Sequence, residues 1–273
     1  MDGMQEDAMV VSDINEAEGF AFVKLNRPKK KNALSVALLD NLSRHLAAIR
    51  INENVCCVVL CAEGDSFSAG RDLGDMREDS RKRSRWADER GSVIGIVKAL
   101  REMPQITIAA VQGYCLGGGM VLMNGCDLAF AADDAKIGMP EILRGSYGRS
   151  ATPTLFQSRI PIKQAFFIQV TGRNLSGVEA ARMGLVSQSV PPGELMNHVG
   201  QLAREIATRN PVALEHAKIA AYSALDLSFD LAVKADEAIS HRMRFYTDPL
   251  ADVEGYLKSQ KGGTNTAYRR PKD

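Results

Sequence analysis

Ile106-Thr-Ile-Ala-Ala-Val111, followed by Cys115-Leu-Gly-Gly-Gly-Met120, is the stretch of sequence that decides the fold. Its first part is short, apolar and rich in β-branched residues, which predicts a buried strand. Three consecutive glycines then permit a sharp turn, and Val121-Leu-Met-Asn-Gly-Cys126 is typical of the first turns of a helix. Because N–H groups at a helix start attract negative charge, this turn could hold a carbonyl oxygen that gains charge during a reaction.

A second glycine turn supports this interpretation. Val55–Cys61 predicts another buried strand, and Phe67-Ser-Ala-Gly-Arg-Asp-Leu-Gly74 follows it. Two such turns can each supply one N–H donor, and two converging donors are the minimum for an oxyanion hole. Taken singly, each turn could also be no more than a tight strand-to-helix connection.

Strands and helices alternate along much of the remaining chain, which indicates an α/β architecture. Ser35 is a candidate N-cap for a helix whose leucines recur at helical spacing, and Pro104 ends a second helix that begins near Val93. Further strands are predicted at Phe20–Leu25, Leu128–Ala132 and Lys136–Gly138. From about residue 150 the pattern becomes mainly helical. We therefore expect a core over residues 1–191 and a helical C-terminal region over residues 192–273.

Composition excludes several classes of protein. The chain has 273 residues, of which 45% are hydrophobic and 25% charged, and a formal net charge of +1. These values are ordinary for a globular protein and argue against a nucleic-acid partner. No apolar run reaches the roughly 20 residues that span a bilayer, and the acidic N-terminus resembles no targeting segment, so we expect a cytoplasmic protein. The five cysteines and four histidines lack metal-type spacing, which predicts buried free thiols and no metal site.

Several motifs together resemble the crotonase superfamily, also called the enoyl-CoA hydratase/isomerase family. The resemblance extends from about Gly19 to Tyr256. The motifs that carry it are Asn26-Arg-Pro-Lys-Lys-Lys-Asn-Ala-Leu34, Phe67-Ser-Ala-Gly-Arg-Asp-Leu73, Ala110-Val-Gln-Gly-Tyr-Cys-Leu-Gly-Gly-Gly119, Cys126-Asp127, Met139-Pro-Glu141, Thr171-Gly-Arg173 and Ala180-Ala-Arg-Met-Gly-Leu-Val186.

The resemblance implies a spiral of ββα units, followed by helices that build homotrimers, which often pair into hexamers. It also implies an acyl-CoA thioester as substrate, with coenzyme A as part of that substrate and no permanently bound cofactor. The thioester oxygen would accept hydrogen bonds from the backbone N–H groups of Arg71 and Gly118. The coenzyme A moiety would pass Lys30, Asn32, Ala33, Ala69, Asp72 and Leu73.

One of the two acids that hydratases of this family use is missing. The resemblance places the first glutamate at Val121 and the second at Glu141. Valine can neither accept a proton nor orient water, whereas a single carboxylate can take a proton from one carbon and return it two carbons along. Double-bond isomerases of this family keep only the second glutamate, and so do members that hydrate conjugated aromatic enoyl-CoAs. Both reactions remain open.

The segment after Glu141 also departs from the family, which often has Gly-Gly-Thr there. Tyr147 and Arg149 could place a hydroxyl and a cation beside the acyl group, which would suit a decarboxylase or a C–C hydrolase, or both could face solvent. The charged stretch Arg77–Arg90, which contains Trp86, could form a flap or a solvated helix. A non-catalytic oligomer that binds acyl-CoA or RNA is the alternative from another class. Our leading expectation is an enzyme that uses Glu141 alone, for double-bond isomerisation or hydration.

Overall fold

In the computed structural model of the protein, a six-stranded sheet forms the centre. The structure describes residues 8–75, 92–248, 253–255 and 257. The strand order is β1-β2-β3-β4-β6-β8, and β1 and β2 are antiparallel while the other neighbours are parallel. The strands are β1 (Val10–Asn15), β2 (Phe20–Leu25), β3 (Cys57–Ala62), β4 (Ile106–Val111), β6 (Leu128–Ala132) and β8 (Gln188–Val190). The α/β architecture is therefore confirmed.

A second, smaller sheet lies beside the glycine triplet. It consists of two parallel strands, β5 (Tyr114–Leu116) and β7 (Lys136–Gly138). Because β5 leads directly into the glycines and β7 directly precedes Met139-Pro-Glu141, this pairing brings the two motifs to the same end of the sheet. The register pairs Leu116 with Gly138, so the residues that follow both strands start as neighbours.

Helices pack against the central sheet and against one another. The first begins after Ser35, whose side chain accepts a hydrogen bond from the Leu38 N–H at 3.2 Å, as the sequence predicted. It buries Leu38, Leu39, Leu42, Leu46 and Ile49. The helices are α1 (Val36–Arg50), α2 (Val93–Glu102), α3 (Gly118–Gly125), α4 (Ala151–Gln157), α5 (Ile162–Thr171), α6 (Gly177–Arg182), α7 (Leu195–Ala207), α8 (Pro211–Asp226) and α9 (Phe229–Met243), with short 3₁₀ helices at Pro28–Lys30, Pro140–Arg144 and Pro192–Glu194.

Three local expectations differ from the structure. The helix expected from Val121 begins three residues earlier, at Gly118, because Gly117 alone makes the turn. The strand expected from Val55 begins at Cys57. Strand β1 was not expected: it lies at the sheet edge, where only Val10 is buried, so its sequence has no long apolar run.

The helical C-terminal region divides into a core part and an outer part. Helix α7 buries Leu195, Val199 and Ala203 against the central sheet, so it completes the core. Helix α9 packs on α8 and buries none of its side chains. The boundary expected at residue 192 stays a prediction, but it precedes a helix that belongs to the core.

The charged stretch at residues 77–90, with Trp86, for which a flap and a solvated helix were both considered, lies outside the described residues. In the part of the chain that the structure describes, no helix is both long and apolar enough to cross a membrane. The cytoplasmic location stays a prediction.

Candidate active site

The two segments that carry the expected N–H donors run side by side. The Ser68 N–H donates to the Tyr114 carbonyl at 2.8 Å, and the Leu116 N–H donates to the Ser68 carbonyl at 3.0 Å. These bonds form a short parallel bridge between Ser68 and Cys115. From this bridge the first segment continues to Arg71 and the second to Gly118. The two expected donors therefore lie at the same end of the paired segments.

The amide nitrogens of Arg71 and Gly118 lie close together. A Cβ atom built on Gly118 would be 3.4 Å from the Arg71 nitrogen, and one built on Gly70 would be 3.4 Å from the Gly118 nitrogen. Gly118 is also the first residue of α3, so its N–H belongs to the first turn, where the helix dipole adds positive potential. The arrangement can offer two donors and a helix start to one oxygen atom.

Two glycines make this approach possible. Gly70 has φ +93°, and a Cβ there would be 2.7 Å from the Leu116 carbonyl oxygen. Gly117 has φ +50° and ψ −109°, a conformation that residues with a Cβ rarely adopt. Any other residue at these positions would separate the two segments or strain the turn.

Glu141 places its carboxylate against this turn. It is the second residue of the 3₁₀ helix Pro140–Arg144, and a Cβ built on Gly117 would overlap its Oε1 atom. Its Oε2 atom is buried and has no hydrogen-bond partner among the described residues. Buried carboxylate oxygens are normally hydrogen-bonded, so this atom needs a partner that the described residues do not supply.

Val121 occupies the position where the resemblance would have placed the other acid. It lies in the first turn of α3, its N–H donates to the Gly117 carbonyl at 3.0 Å, and it is 1% exposed. The environment here is apolar, with Met120, Leu122 and Met123 also buried. At this point of the helix the chain therefore has the aliphatic side chain of Val121, and not a second acid to act with Glu141.

The expected coenzyme A-binding residues separate into two groups. The first group is exposed and consists of Lys30, Ala69 and Leu73. The Ala69 N–H donates to the Lys31 carbonyl at 2.9 Å, which joins the loop of Lys30 to the loop of Ala69 and Leu73. The three residues therefore line one edge formed by these two loops. Ala33 is half-buried on the same edge. These residues are accessible to a ligand.

Asn32 and Asp72, in contrast, use their side chains inside the protein. Asn32 is fully buried; its Nδ2 donates to the Glu63 and Ser66 carbonyls, and its Oδ1 accepts the Arg27 N–H. Asp72 pairs with Arg27 at 3.2 Å and accepts the Gly74 N–H at 2.8 Å. Their side chains hold the loops, so any contact with a ligand falls to their backbone.

Tyr147 and Arg149 are both exposed and lie on either side of Gly148. A Cβ built on Gly148 would be 3.7 Å from the Glu141 carboxyl carbon, so this glycine lies close to the proposed acid. Gly148 was not singled out from the sequence. The sequence signal that could have identified it was its position between two polar residues, seven residues after Glu141.

Two further predictions concern metal ligands and cysteine thiols. In the part of the chain that the structure describes, no three His, Cys, Asp or Glu side chains come together to hold a metal ion. Cys57, Cys61, Cys115 and Cys126 are buried free thiols, as predicted, while Cys56 is half-buried.

Comparisons with known proteins show the family to which the chain belongs. The profile of the enoyl-CoA hydratase/isomerase family matches residues 15–253. A short-chain-enoyl-CoA hydratase of Clostridium acetobutylicum is 33% identical, covering 91% of this chain and 95% of that protein. A hydroxycinnamoyl-CoA hydratase-lyase of Pseudomonas fluorescens is 33% identical, covering 74% of each. The crystal structure of an enoyl-CoA hydratase from Mycobacterium smegmatis superposes with a TM-score of 0.81 at 28% identity, covering 92% of this chain and 96% of that one.

The chain belongs to the enoyl-CoA hydratase/isomerase family, and its fold is that of the crotonase superfamily. The resemblance drawn from the motifs is therefore confirmed. The protein is an enzyme of a family that acts on CoA thioesters.

Proposed function

We propose that the protein moves a proton on an enoyl-CoA thioester, with Glu141 as the only carboxylate that carries it. The thioester oxygen would accept hydrogen bonds from the Arg71 and Gly118 N–H groups. The observation that carries the proposal is the Oε2 atom of Glu141, which is buried and without a partner among the described residues, beside the glycine that precedes the Gly118 N–H. Double-bond isomerisation would need only these groups, one carboxylate and two N–H donors.

The chemistry follows from where charge develops. Glu141 would remove a proton from the α-carbon of a β,γ-unsaturated thioester, leaving a dienolate whose negative charge resides largely on the thioester oxygen. The two N–H groups would stabilise that oxygen; losing one such donor typically costs about 2.7–4 kcal/mol of barrier. The protonated Glu141 would then return the proton to the γ-carbon, which leaves the double bond conjugated with the thioester.

Hydration of a conjugated aromatic enoyl-CoA is the second candidate. It is favoured by the 33% identity to a hydroxycinnamoyl-CoA hydratase-lyase. It must work without a second acid at Val121, which is 1% exposed and apolar. Water would then depend on Glu141 alone for its orientation.

Coenzyme A would lie along the exposed edge formed by Lys30, Ala33, Ala69 and Leu73, as part of the substrate. Tyr147 and Arg149 would face the acyl end only if their side chains turned from solvent toward Glu141. That movement would serve a decarboxylase or C–C hydrolase, and so these reactions rank third.

We also propose a homotrimer, or a hexamer of paired trimers, as the assembled state. Apolar side chains on two helices support it: Ile162 and Val170 of α5 are 62% and 59% exposed, and Phe229 and Val233 of α9, one turn apart, are 82% and 42% exposed. Faces of this kind are typical of surfaces that another copy covers.

Glu141→Gln tests the proposed reaction, because the amide keeps the size of the side chain but cannot take a proton. Activity would be assayed on β,γ-enoyl-CoAs of several chain lengths and on α,β-unsaturated aliphatic and aromatic enoyl-CoAs. We expect the wild type to isomerise the first group, and the variant to lose at least about 100-fold in kcat while its Kd for butyryl-CoA changes little.

Glu205→Gln is the matched control, since Glu205 is exposed on α7 and pairs only at the surface with Arg209 in the described part of the chain. Its kcat should equal that of the wild type. Turnover of a hydration substrate without isomerisation would select the second candidate. A wild type that binds butyryl-CoA yet converts no member of the panel would contradict an enzymatic role.

A further inference from the structure

Leu34 contacts both segments that carry the proposed N–H donors. Its N–H donates to the Gly70 carbonyl at 2.8 Å, and its carbonyl accepts the Asp72 N–H at 3.0 Å, so its backbone holds both neighbours of Arg71. Its Cδ1 atom lies 3.1 Å from where a Cβ on Gly118 would be, and the side chain is 1% exposed. Leu34 therefore sets the spacing between the Arg71 loop and the start of α3.

Arg27 fixes Leu34 in that position from outside the site. A single nitrogen, Nη1, donates to the Ala33 carbonyl at 2.7 Å and pairs with the Asp72 carboxylate at 3.2 Å. The guanidinium thus joins the residue before Leu34 to the residue after Arg71. The other carboxylate oxygen of Asp72 accepts the Gly74 N–H at 2.8 Å, which completes the loop.

The Arg27–Asp72 pair is better shielded than an ordinary surface ion pair. Both side chains are 20% exposed, whereas the pairs Lys24–Glu63 and Arg204–Glu18 are 34% to 53% exposed. Partial burial alone would raise the pKa of Asp72, but the Gly74 N–H and then the Arg27 guanidinium favour the carboxylate, and its pKa lies below the ordinary value. The pair is therefore ionised at neutral pH and is lost only when the pH falls through that lowered pKa.

We propose that Arg27 and Asp72 are positioning residues, which keep the Arg71 N–H aimed at the same point as the Gly118 N–H through their hold on Leu34. This inference rests on the proposed oxyanion hole. Neither side chain touches the substrate in this scheme; Arg27 acts through Ala33 and Leu34, and Asp72 acts through the chain on either side of it. A donor that is displaced by a fraction of an ångström loses much of its effect on the oxygen, because hydrogen-bond energy depends steeply on distance and angle.

The test compares Arg27→Met, which keeps the aliphatic stem, with Arg27→Lys, whose ammonium can still donate to both acceptors. The direct readout is the infrared stretching frequency of the carbonyl in isotope-labelled butyryl-CoA, a saturated thioester that is neither isomerised nor hydrated. A polarised carbonyl absorbs at a lower frequency when it is bound than in water. We expect the wild type to show this decrease and Arg27→Met to lose most of it.

Kinetics should follow the spectroscopy. For Arg27→Met we expect kcat to fall about 10- to 100-fold, less than for complete loss of a donor, with KM and the Kd for butyryl-CoA changed less than about threefold, and Arg27→Lys should recover most of the loss. Arg204→Met is the matched control, because Arg204 forms a 2.8 Å ion pair with Glu18 elsewhere in the fold. It should keep both the carbonyl shift and kcat.

The outcomes separate the two proposals. If the wild type shows no carbonyl shift, the oxyanion hole itself is wrong, and the positioning role is wrong with it. If the wild type shows the shift and Arg27→Met keeps it, only the positioning role is overturned, even if kcat falls. Should Arg27→Met not fold, Asp72→Asn makes the same comparison by removing the charge, and an unchanged carbonyl shift in that variant overturns the inference.

Discussion

At the scale of single residues, the site depends on where side chains are lacking. Gly117 adopts φ +50°, and a Cβ there would overlap Glu141 Oε1. Gly117→Ala should therefore combine backbone strain of about 1–3 kcal/mol with displacement of the proposed acid. We expect kcat to fall at least about 100-fold, measured together with the free energy of unfolding in urea.

Gly184→Ala is the control for strain alone, because Gly184 has φ +76° and nothing within 4 Å of its would-be Cβ. It should lose similar stability and keep kcat. A Gly117→Ala protein with wild-type kcat would mean that Glu141 does not act from the position described.

The cysteines provide a residue-scale test of the core. Burial raises the pKa of Cys61 and Cys126 to about 12, and it also raises the pKa of Cys57 and Cys115. At pH 8 these four are protonated and enclosed, and the thiolate is the reactive form. With Ellman's reagent we expect at most one fast thiol in the native protein, Cys56, and five after denaturation. Two or more fast thiols in the native protein would contradict this packing.

The sequence was sufficient to propose the main site residues, which stay a prediction, but not the internal contacts that two of them make. Glu141 and the Arg71 and Gly118 amides could be predicted because they belong to motifs whose order along the chain is distinctive. The internal hydrogen bonds of Asn32 and Asp72 could not, since their partners Glu63, Ser66 and Arg27 come from other segments. Which groups a polar side chain satisfies depends on tertiary contacts that no local pattern records.

At the scale of elements, α8 is fastened to the core by a buried polar cluster. Lys218 donates to the Leu100 and Gln105 carbonyls at 2.7 and 2.9 Å and pairs with Asp127 at 2.8 Å. Burial lowers the pKa of Lys218, and the attraction of Asp127 opposes that shift. The cluster attaches the helix to the turn that follows α3.

Lys218→Met should be strongly destabilising, because it leaves the mostly buried Asp127 without its cation. We expect a loss of about 3–5 kcal/mol in the free energy of unfolding. Tyr222→Phe, which removes only the hydroxyl that donates to Asp127 at 2.8 Å, should cost about 1 kcal/mol. Urea denaturation measures both, and equal effects would contradict a central role for the lysine.

Elements whose sequence has a strong hydrophobic periodicity were predicted well. Elements that depend on tertiary contacts were not. The leucine stripe of α1 and its Ser35 cap were sufficient to place that helix. The start of α3 was misplaced because glycine favours turns, yet Gly118 and Gly119 lie inside the first helical turn, where backbone N–H groups need no helical partner. Strand β8 has only three residues, and pairing with β6 defines it.

At the scale of the whole molecule, the proposed assembly makes a prediction about mass. Replacing both Phe229 and Val233 by Asp, one helical turn apart and 82% and 42% exposed, should place charge on one exposed apolar face of α9 and shift the molar mass in light scattering from a trimer or hexamer toward a monomer. Ile51→Asp is the control, because Ile51 is 80% exposed in the turn after α1. An unchanged mass for the double variant would show that this face is not an interface.

The two donors of the proposed oxyanion hole are peptide groups, so no substitution other than one by proline removes them directly. The side chains around them, at positions 121 and 141, can in contrast be replaced without touching the donors. Enolate stabilisation can thus be inherited intact while the proton-handling groups are exchanged. Such a site would be a convenient starting point for redesign: a new acid, base or water-binding group could be installed beside an electrostatic centre that already works.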